Sequence, residues 1–381
     1  MPTSNGSGQI VAIVDAYDNP NVGSDLATYR SEFGLGSANF TKYNQEGQQS
    51  NYPAGSADWG IEIDLDVDMV SAACPKCTII LVEANSSNFS DLGTAEVEAV
   101  KLGAHIVSNS YSGTGCTGTC GYGTDYDTKG VEYLASAGDD GFGIGAPAQV
   151  DTVVSVGGTS LTKDTGTKRG WTETAWSGTG AGCSSVTKPS WQHDPGCTFR
   201  TANDVAADAN PDTGVAEYDS YDYRGWFVVG GTSVSSPLLG GAYGLAGNAK
   251  SEIGGKAFWT LSSRKRKRDL CKITSGSDGS CSPTYLCTAQ PISAPKERAS
   301  TRPTAARTAG ERPTASARSR TLEVNAKRRR ARERPSPLII ALHLRAVPAQ
   351  VQRRDCLHRW VNPMPIAFRN GWLWNGFKIS P

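Results

Sequence analysis

Short apolar runs alternate with stretches of helical periodicity from Gln9 to Leu245. The runs that predict strands are Gln9–Ala16, Thr78–Ala84, His105–Tyr111, Tyr133–Gly138 and Thr152–Val156. Helical spacing is seen in Ser24–Phe33, in Thr94–Leu102, around Glu62 and after Ser233. Strands that alternate with helices in this way predict an α/β fold, in which a mostly parallel central sheet carries helices on both faces. No apolar run is long enough for a membrane span, so we expect no membrane partner.

Two acidic residues stand four positions apart in the helix predicted around Glu62. Apolar residues recur there at a helical spacing, at Ile61, Leu65, Met69 and Ala72. Glu62 and Asp66 therefore project from one face of the helix. Two carboxyls held together tend to share one proton, so the glutamate can accept a proton while the aspartate holds it in place. The alternative is a solvated acidic face, which is the simplest interpretation of Asp64 and Asp68.

The segment from Gly230 to Pro237 carries the strongest chemical signal. It reads Gly-Gly-Thr-Ser with a proline four residues after Ser233, the pattern in which peptidases of the subtilisin clan present a nucleophilic serine. A helix that begins there places positive potential beside the forming alkoxide. A serine also needs a base, which is usually histidine. None of the four histidines has the sequence context of a subtilisin base: His105, His193, His343 and His358.

A third element is the segment Leu134–Gly141, which predicts a short buried strand followed by a turn with glycine on either side of two aspartates. A side chain in such a turn can be aimed at a cleft. Subtilisins place an amide oxyanion donor in the corresponding turn. Asp139 can donate a hydrogen bond there only when it is protonated, which suits acidic conditions. The alternative is an ordinary turn residue that bonds its own backbone.

Together these motifs resemble the sedolisin family of serine-carboxyl peptidases, bacterial type. Glu62 and Asp66 match the family's Glu-x-x-x-Asp, Ser233 matches its Gly-Thr-Ser, and Asp139 matches its Gly-Asp-x-Gly. The order and spacing of the motifs agree from about Gly8 to Ala289. The resemblance therefore covers the catalytic domain and implies a subtilisin-like fold.

The resemblance also implies an activity, that of a serine-type endopeptidase acting at acidic pH on peptides and proteins. In that mechanism Ser233 is the nucleophile, Glu62 the base, Asp66 the residue that orients Glu62, and Asp139 the oxyanion donor. The alternative is an inactive pseudoenzyme, a peptide-binding remnant that lacks the family's calcium site and prosegment.

Calcium is the cofactor that the resemblance implies, but its site is expected to be lost. The family's first aspartate ligand falls at Lys272, where a cation replaces a carboxylate. The glycine-rich ending that supplies further ligands is missing after Ala289. We therefore assign no metal-binding residue.

One further strand, Val11–Asp15, resembles the subtilisin strand that carries the triad aspartate. That mechanism needs a histidine partner, and neither His105 nor His193 offers one. We expect Asp15 to be a turn residue at the end of a strand, and His105 to be a core or strand-end residue.

The formal net charge of +1 conceals two different regions. Residues 1–287 hold 19 Lys and Arg against 32 Asp and Glu, whereas residues 288–381 hold 19 against 5. Glycine falls from 40 to 3 between the same two regions. We divide the chain into a peptidase domain, residues 1–289, and a basic tail rich in Arg, Pro and Ala, residues 290–381. The tail is interpreted as out-of-frame or disordered; a nucleic-acid-binding arm is the less favoured alternative.

Ten cysteines point to an oxidising compartment. Four pairs lie close in sequence and predict local disulfides: Cys74 with Cys77, Cys116 with Cys120, Cys183 with Cys197, and Cys281 with Cys287. Cys271 and Cys356 are left over. We expect a secreted, extracellular monomer with no nucleic-acid partner, although the chain begins without a signal peptide.

Overall fold

The computed structural model describes residues 6–113, 121–167, 169–221, 223–288 and 340–342. In chain order the strands are β1 (Ile10–Ala16), β2 (Asn39–Asn44), β3 (Thr78–Ala84), β4 (Ile106–Asn109), β5 (Glu132–Ser136), β6 (Val153–Lys163), β7 (Trp171–Ala175), β8 (Gly182–Cys183), β9 (Thr201–Ala202), β10 (Val205–Asp208), β11 (Val215–Asp219), β12 (Gly225–Val229), β13 (Leu270–Lys272) and β14 (Ile340–Leu342). The helices are α1 (Val22–Glu32), α2 (Ala57–Ala73), α3 (Phe89–Lys101), α4 (Thr232–Ala246), α5 (Lys256–Thr260) and α6 (Ser263–Asp269).

The central sheet has the order β13-β14-β10-β6-β5-β4-β1-β3-β2, and β7 pairs with β6. Its neighbours are parallel, apart from the antiparallel pairs β6–β7 and β13–β14. The predicted mostly parallel sheet is therefore confirmed. Strand β2 escaped prediction because it is an edge strand of mainly polar residues, which pairs only with β3 in the part of the chain that is described.

Helices cover both faces of the sheet, as predicted. Alternate residues of β1 enter two different cores. Val11 and Ile13 pack with apolar residues of α1, α2 and α4 on one face. Ala12 and Val14 pack with apolar residues of α3 on the other. Burial on both faces explains why β1 reads as a continuous apolar run rather than an alternating one.

Three adjacent strands, β5, β4 and β1, end at the same edge of the sheet because they are parallel. Asp15 is the second-last residue of β1, Ser110 follows β4 directly, and Asp139 follows β5 by three residues. Helices α2 and α4 pack against each other beside this edge. The carboxyl edge of a parallel sheet is where α/β proteins usually gather functional groups.

The helices predicted from the sequence are present in the structure, but they begin at different residues. Helix α1 matches the predicted Ser24–Phe33 within two residues, whereas α3 begins at Phe89, five residues before the predicted start. His105 immediately precedes β4, and its Nδ1 lies 3.1 Å from the Gly130 carbonyl oxygen, as expected of a strand-end residue. None of the helices among the described residues is both long and apolar enough to cross a bilayer.

Three of the predicted disulfides are present: Cys74–Cys77, Cys183–Cys197 and Cys281–Cys287. The predicted pair Cys116–Cys120 lies outside the described residues. The expectation that Cys271 is left over is wrong, because Cys271 is disulfide-bonded to a cysteine outside the described residues.

Most of the predicted basic tail, residues 290–381, lies outside the described residues. Its described part is β14, which pairs in parallel with β10 and antiparallel with β13. The interpretation of the tail therefore stays a prediction.

A buried ion pair between Arg200 and Asp204 lies just before β10 and bonds to the backbone of β6. Arg200 is 0% exposed, and its Nη2 donates to Asp204 Oδ2 at 2.6 Å and to the Val153 carbonyl oxygen at 2.8 Å. Asp204 also accepts from the Ser155 N–H at 2.9 Å and from Trp259 Nε1 at 2.7 Å. Each charge therefore has a partner, which is the condition for burying charge at tolerable cost.

We expect Asp204→Ala to lower the free energy of unfolding by about 3–5 kcal/mol, because it leaves the Arg200 guanidinium buried without a counter-charge. Urea denaturation at constant pH measures the loss. The control is Lys101→Ala, which removes an exposed ion pair with Glu98 (2.9 Å) and should cost less than about 1 kcal/mol. Similar losses for the two variants would contradict the role given to the buried pair.

Candidate active site

Helix α2 carries the two acids that the sequence predicts as a pair. The helix starts after Ser56, whose hydroxyl accepts a hydrogen bond from the Trp59 N–H at 3.5 Å. Glu62 and Asp66 follow on the side that faces Ser233. Asp66 is 0% exposed, and Oε1 of the half-buried Glu62 is out of reach of water. The predicted solvated alternative is therefore wrong for this pair.

Helix α4 begins at Thr232, directly after Gly231, and Ser233 is its second residue. Gly231 has a φ of 115°, and a Cβ at this position would lie 2.6 Å from Asp139 Oδ2. Any other residue would be strained and would push against the carboxyl, so glycine is required here. Ser233 itself is 9% exposed and lies at the positive end of the helix.

Ser110, which follows β4, connects the acidic pair with Ser233. Its hydroxyl donates to Asp66 Oδ1 at 2.7 Å, and it also lies 3.4 Å from the Ser233 carbonyl oxygen. The sequence motifs give no sign of this residue. Its signal is positional, since it follows a buried parallel strand at the edge where the other groups meet.

Burial raises the pKa of Glu62 well above its usual value, and repulsion from Asp15 and Asp139 raises it further. The Ser233 and Ser110 hydroxyls oppose this and lower the pKa of Glu62. Burial likewise raises the pKa of Asp66, with added repulsion from Asp15 and Glu62, while the bond from Ser110 lowers it.

Asp15 is the functional residue that sequence reasoning misjudged. The expectation of a turn residue is wrong, because Asp15 lies within β1 and is 0% exposed. Neither of its carboxyl oxygens has a hydrogen-bond partner among the described residues, and burial raises its pKa to about 7. It acts electrostatically on both Glu62 and Asp66. The site therefore contains three carboxyls that cannot all ionise together.

Asp139 lies at the open edge of the site, where its backbone connects β5 to the next loop. Its Oδ1 accepts from the Thr232 N–H at 2.8 Å and from the Thr232 hydroxyl at 2.7 Å. The surrounding protein raises the pKa of Asp139, with help from Asp140, whereas the two bonds from Thr232 lower it. The Asp139 residue is exposed to solvent. The contacts tie Asp139 to the start of the nucleophile helix.

Asp64 and Asp68 are not a solvated face, contrary to the expectation. They are 2% and 1% exposed. Because they alternate with Glu62 and Asp66 along α2, they point to another side of the helix, towards α1 and β11.

Lys272 closes β13 and is exposed, next to the buried Ile273. An ammonium group at this position does not fit calcium, which takes oxygen ligands. The resemblance also places a ligand at the backbone carbonyl of Ile273, and the remaining ligands fall in the glycine-rich ending after residue 288, outside the described residues. Loss of the calcium site therefore stays a prediction.

The fold was compared with solved structures. A Pseudomonas sedolisin (serine-carboxyl proteinase), complexed with two molecules of pseudo-iodotyrostatin, matches with a TM-score of 0.61 and 22% identity over 72% of this chain and 85% of that chain. A psychrophilic protease matches with a TM-score of 0.49 and 17% identity over 75% of this chain and 90% of that chain. A cold-adapted subtilisin-like serine proteinase gives 0.41 and 17% over 68% and 83%.

No protein-family model matches the sequence, and no curated protein matches it significantly. The match to the sedolisin confirms the resemblance at the level of the fold. The chain thus has a sedolisin-like fold.

We expect Asp15→Asn to lower the pKa of Glu62, because it removes the carboxyl whose repulsion raises that pKa most after burial. The measurement is a ¹³C NMR titration of the Glu carboxyl carbons. Asp58→Asn, an exposed change on the same helix, is the control and should leave the titration of Glu62 in place. An unchanged Glu62 titration in Asp15→Asn would show that the two carboxyls do not interact.

Proposed function

We propose that this chain is a serine-type endopeptidase of the serine-carboxyl type, acting at acidic pH. Ser233 attacks the peptide carbonyl carbon, Glu62 takes the serine proton, Asp66 orients Glu62, and Asp139 donates to the oxyanion. The observation that carries the proposal is the position of Ser110, which donates to Asp66 Oδ1 at 2.7 Å and lies 3.4 Å from the Ser233 carbonyl oxygen, so that the acidic pair of α2 and the start of α4 meet at one place.

The proton path follows from the contacts. When Ser233 Oγ forms its bond to the carbonyl carbon, its proton passes to the Glu62 carboxylate. Ser110 holds Asp66 in place at 2.7 Å, and Asp66 in turn stabilises one orientation of Glu62. When the C–N bond breaks, Glu62 returns the proton to the leaving amine. A water molecule then hydrolyses the acyl-enzyme by the same route in reverse.

The oxyanion donor is supported by the hydrogen bonds of Asp139. Thr232 occupies Oδ1 with two donors, so a proton on the Asp139 carboxyl resides on Oδ2. That oxygen lies beside Gly231, two residues before the nucleophile. A neutral carboxylic acid fixed there donates to an oxyanion as a preorganised dipole. An ionised Asp139 would instead repel it.

The alternative is an inactive pseudoenzyme that retains only peptide binding. Lys272 favours it, because a lost calcium site would remove support from the loop that follows β13. Peptides and proteins are the partners in either case. The three disulfides among the described residues support an extracellular location. We further infer a monomer that binds neither nucleic acid nor membranes.

Ser233→Ala should abolish hydrolysis of an acid-denatured protein substrate, because no other group then attacks the carbonyl carbon. Removal of a catalytic serine costs about 10⁶-fold in kcat. The control is Ser31→Ala, an exposed serine on α1, which should keep the parent rate. Activity that survives in Ser233→Ala would refute the nucleophile, and a parent chain that binds peptide without cleaving it would establish the pseudoenzyme.

The pH profile should show an acidic maximum that falls towards neutral pH. The reactive form carries one negative charge on the Glu62–Asp66 pair and a proton on Asp139, and it is depleted as Asp139 ionises. The raised pKa of Asp139 sets this basic limb. Asp139→Asn keeps a donor at every pH, so its basic limb should move to higher pH when kcat/KM is measured from pH 3 to 8.

Asp139→Ala is the matched variant, since it removes the donor altogether and should lower kcat/KM by about 10²- to 10³-fold across the profile. A parent maximum at neutral or alkaline pH would point instead to a histidine base. An unmoved basic limb in Asp139→Asn would show that another group controls it.

A further inference from the structure

A second group of buried carboxyls lies on a different side of α2 from the candidate active site. It consists of Asp64 and Asp68 on α2, Glu217 on β11 and Asp25 on α1. Their exposures are 2%, 1%, 0% and 2% in that order. We call these four residues the α2–β11 acid cluster. Asp64 and Asp68 repeat the four-residue spacing of Glu62 and Asp66, so one helix carries two buried acidic pairs.

Hydrogen bonds satisfy only part of the α2–β11 acid cluster. Asn19 Nδ2 donates to Asp64 Oδ2 at 2.7 Å, and Ser220 donates to Asp25 through its N–H at 2.9 Å and its hydroxyl at 2.7 Å. Four oxygens have no hydrogen-bond partner within the described part of the chain: Asp64 Oδ1, Asp68 Oδ2 and both oxygens of Glu217. Glu217 is thus a fully buried polar side chain without a hydrogen-bond partner among the described residues, on the strand that packs against α2.

No cation compensates this cluster among the described residues. The titratable groups that act on it are acidic or neutral: Asp219 on β11, Glu62 on α2 and Tyr29 on α1. The nearby Lys42 contacts Asp18 and Glu83 instead. Arg30 donates to the Ser71 hydroxyl and to backbone carbonyls.

Ionising Asp64, Asp68 and Glu217 together in these surroundings would cost more free energy than the fold can sustain. Protonation removes the charge and also creates donors, because a carboxylic acid has an O–H. A protonated carboxyl on one element can then bond to the unpartnered oxygens on another. The ligand that this cluster requires is therefore the proton.

We propose that Asp64, Asp68 and Glu217 form a proton-binding joint between α2 and β11, which stays packed only while these carboxyls hold protons. Helix α2 carries Glu62 and Asp66, and the β11–β12 hairpin leads through Gly230 and Gly231 to Ser233. Deprotonation of the joint weakens the packing between α2, which carries these acids, and the hairpin that leads to Ser233. The proposal goes beyond the catalytic mechanism, because it concerns the packing of the chain and holds whether or not peptides are cleaved.

The direction in which pH changes the stability of the fold follows from the shifted pKa values. Burial is the main cause that raises the pKa of Asp64, Asp68 and Glu217 well above their usual values, and repulsion among acidic neighbours adds to it. A carboxyl whose pKa is raised on folding stabilises the fold most below its unfolded pKa of about 4. That stability is lost as the pH rises towards and through the folded pKa.

The test is the Tm of the full chain measured by calorimetry from pH 4 to 8. The parent Tm should fall as the pH rises. Glu217→Gln and Asp68→Asn each remove one ionisable group while keeping size and hydrogen bonding, so each should flatten the fall and raise the Tm at pH 7 by several degrees. Asp58→Asn is the matched control: it is exposed on α2 and should follow the parent slope.

Two results would overturn the proposal. One is a parent slope retained in both Glu217→Gln and Asp68→Asn. The other is recovery of the Tm at pH 7 by millimolar calcium in the parent but not in Glu217→Gln, which would show that the cluster holds a cation rather than protons. If the variants fail to fold at pH 4, proton uptake on refolding of the parent at pH 6 decides. Uptake of more protons than the other buried carboxyls with raised pKa values can hold supports the joint, and a smaller uptake refutes it; those carboxyls are Asp15, Glu62, Asp66, Glu83, Glu96 and Glu132.

Discussion

The burial of carboxyl groups without cations is the constraint on which the rest of this structure depends. Helix α2 places acidic residues at positions 62, 64, 66 and 68, and each of them has at least one buried oxygen without a hydrogen-bond partner among the described residues. Asp15 adds another from β1. Water would satisfy these groups, but the packing of α2 against α4, β1 and β11 removes it. The packing of α2 therefore depends on which of its carboxyls are protonated.

Ser233 and Asp139 are held in place by a glycine turn and by the hydrogen bonds of Thr232. Gly231 turns the chain so that α4 begins against Asp139, and Thr232 holds Asp139 through two hydrogen bonds. The Thr232 hydroxyl also accepts from the Gly138 N–H at 3.1 Å. The end of β5 and the start of α4 are therefore joined as one unit. Substitution at either glycine-containing turn would disturb both functional groups together.

The sequence predicted the fold class and the candidate residues because both leave local signals. Apolar runs marked the buried strands β1, β3 and β5, and short motifs marked Glu62, Asp66, Ser233 and Asp139. Helical spacing predicted that Glu62 and Asp66 lie together, whereas Ser233 and Asp139 are far from them in sequence, and only the resemblance predicted that all four meet. Strand β2 was missed because an edge strand needs few apolar residues.

The errors have one physical origin. Asp15, Asp64 and Asp68 were assigned to solvent or to a turn because a charged residue is seldom buried without a partner. Only the packing of distant elements reveals their burial. Ser110 was missed for a related reason, since its role depends on a contact with Asp66, 44 residues earlier. Serine is also too common at the ends of strands to be noticed from sequence alone.

The hydroxyl of Ser110 has a consequence for where protons lie within Asp66. A serine hydroxyl has a single hydrogen, and the 2.7 Å distance to Asp66 Oδ1 favours that oxygen over the Ser233 carbonyl oxygen at 3.4 Å. Oδ1 is thereby an acceptor. When Asp66 is protonated, its hydrogen must reside on Oδ2, the oxygen without a partner among the described residues. The contact thus makes the two oxygens of Asp66 chemically different: Oδ1 accepts a hydrogen bond, and Oδ2 carries the proton when there is one.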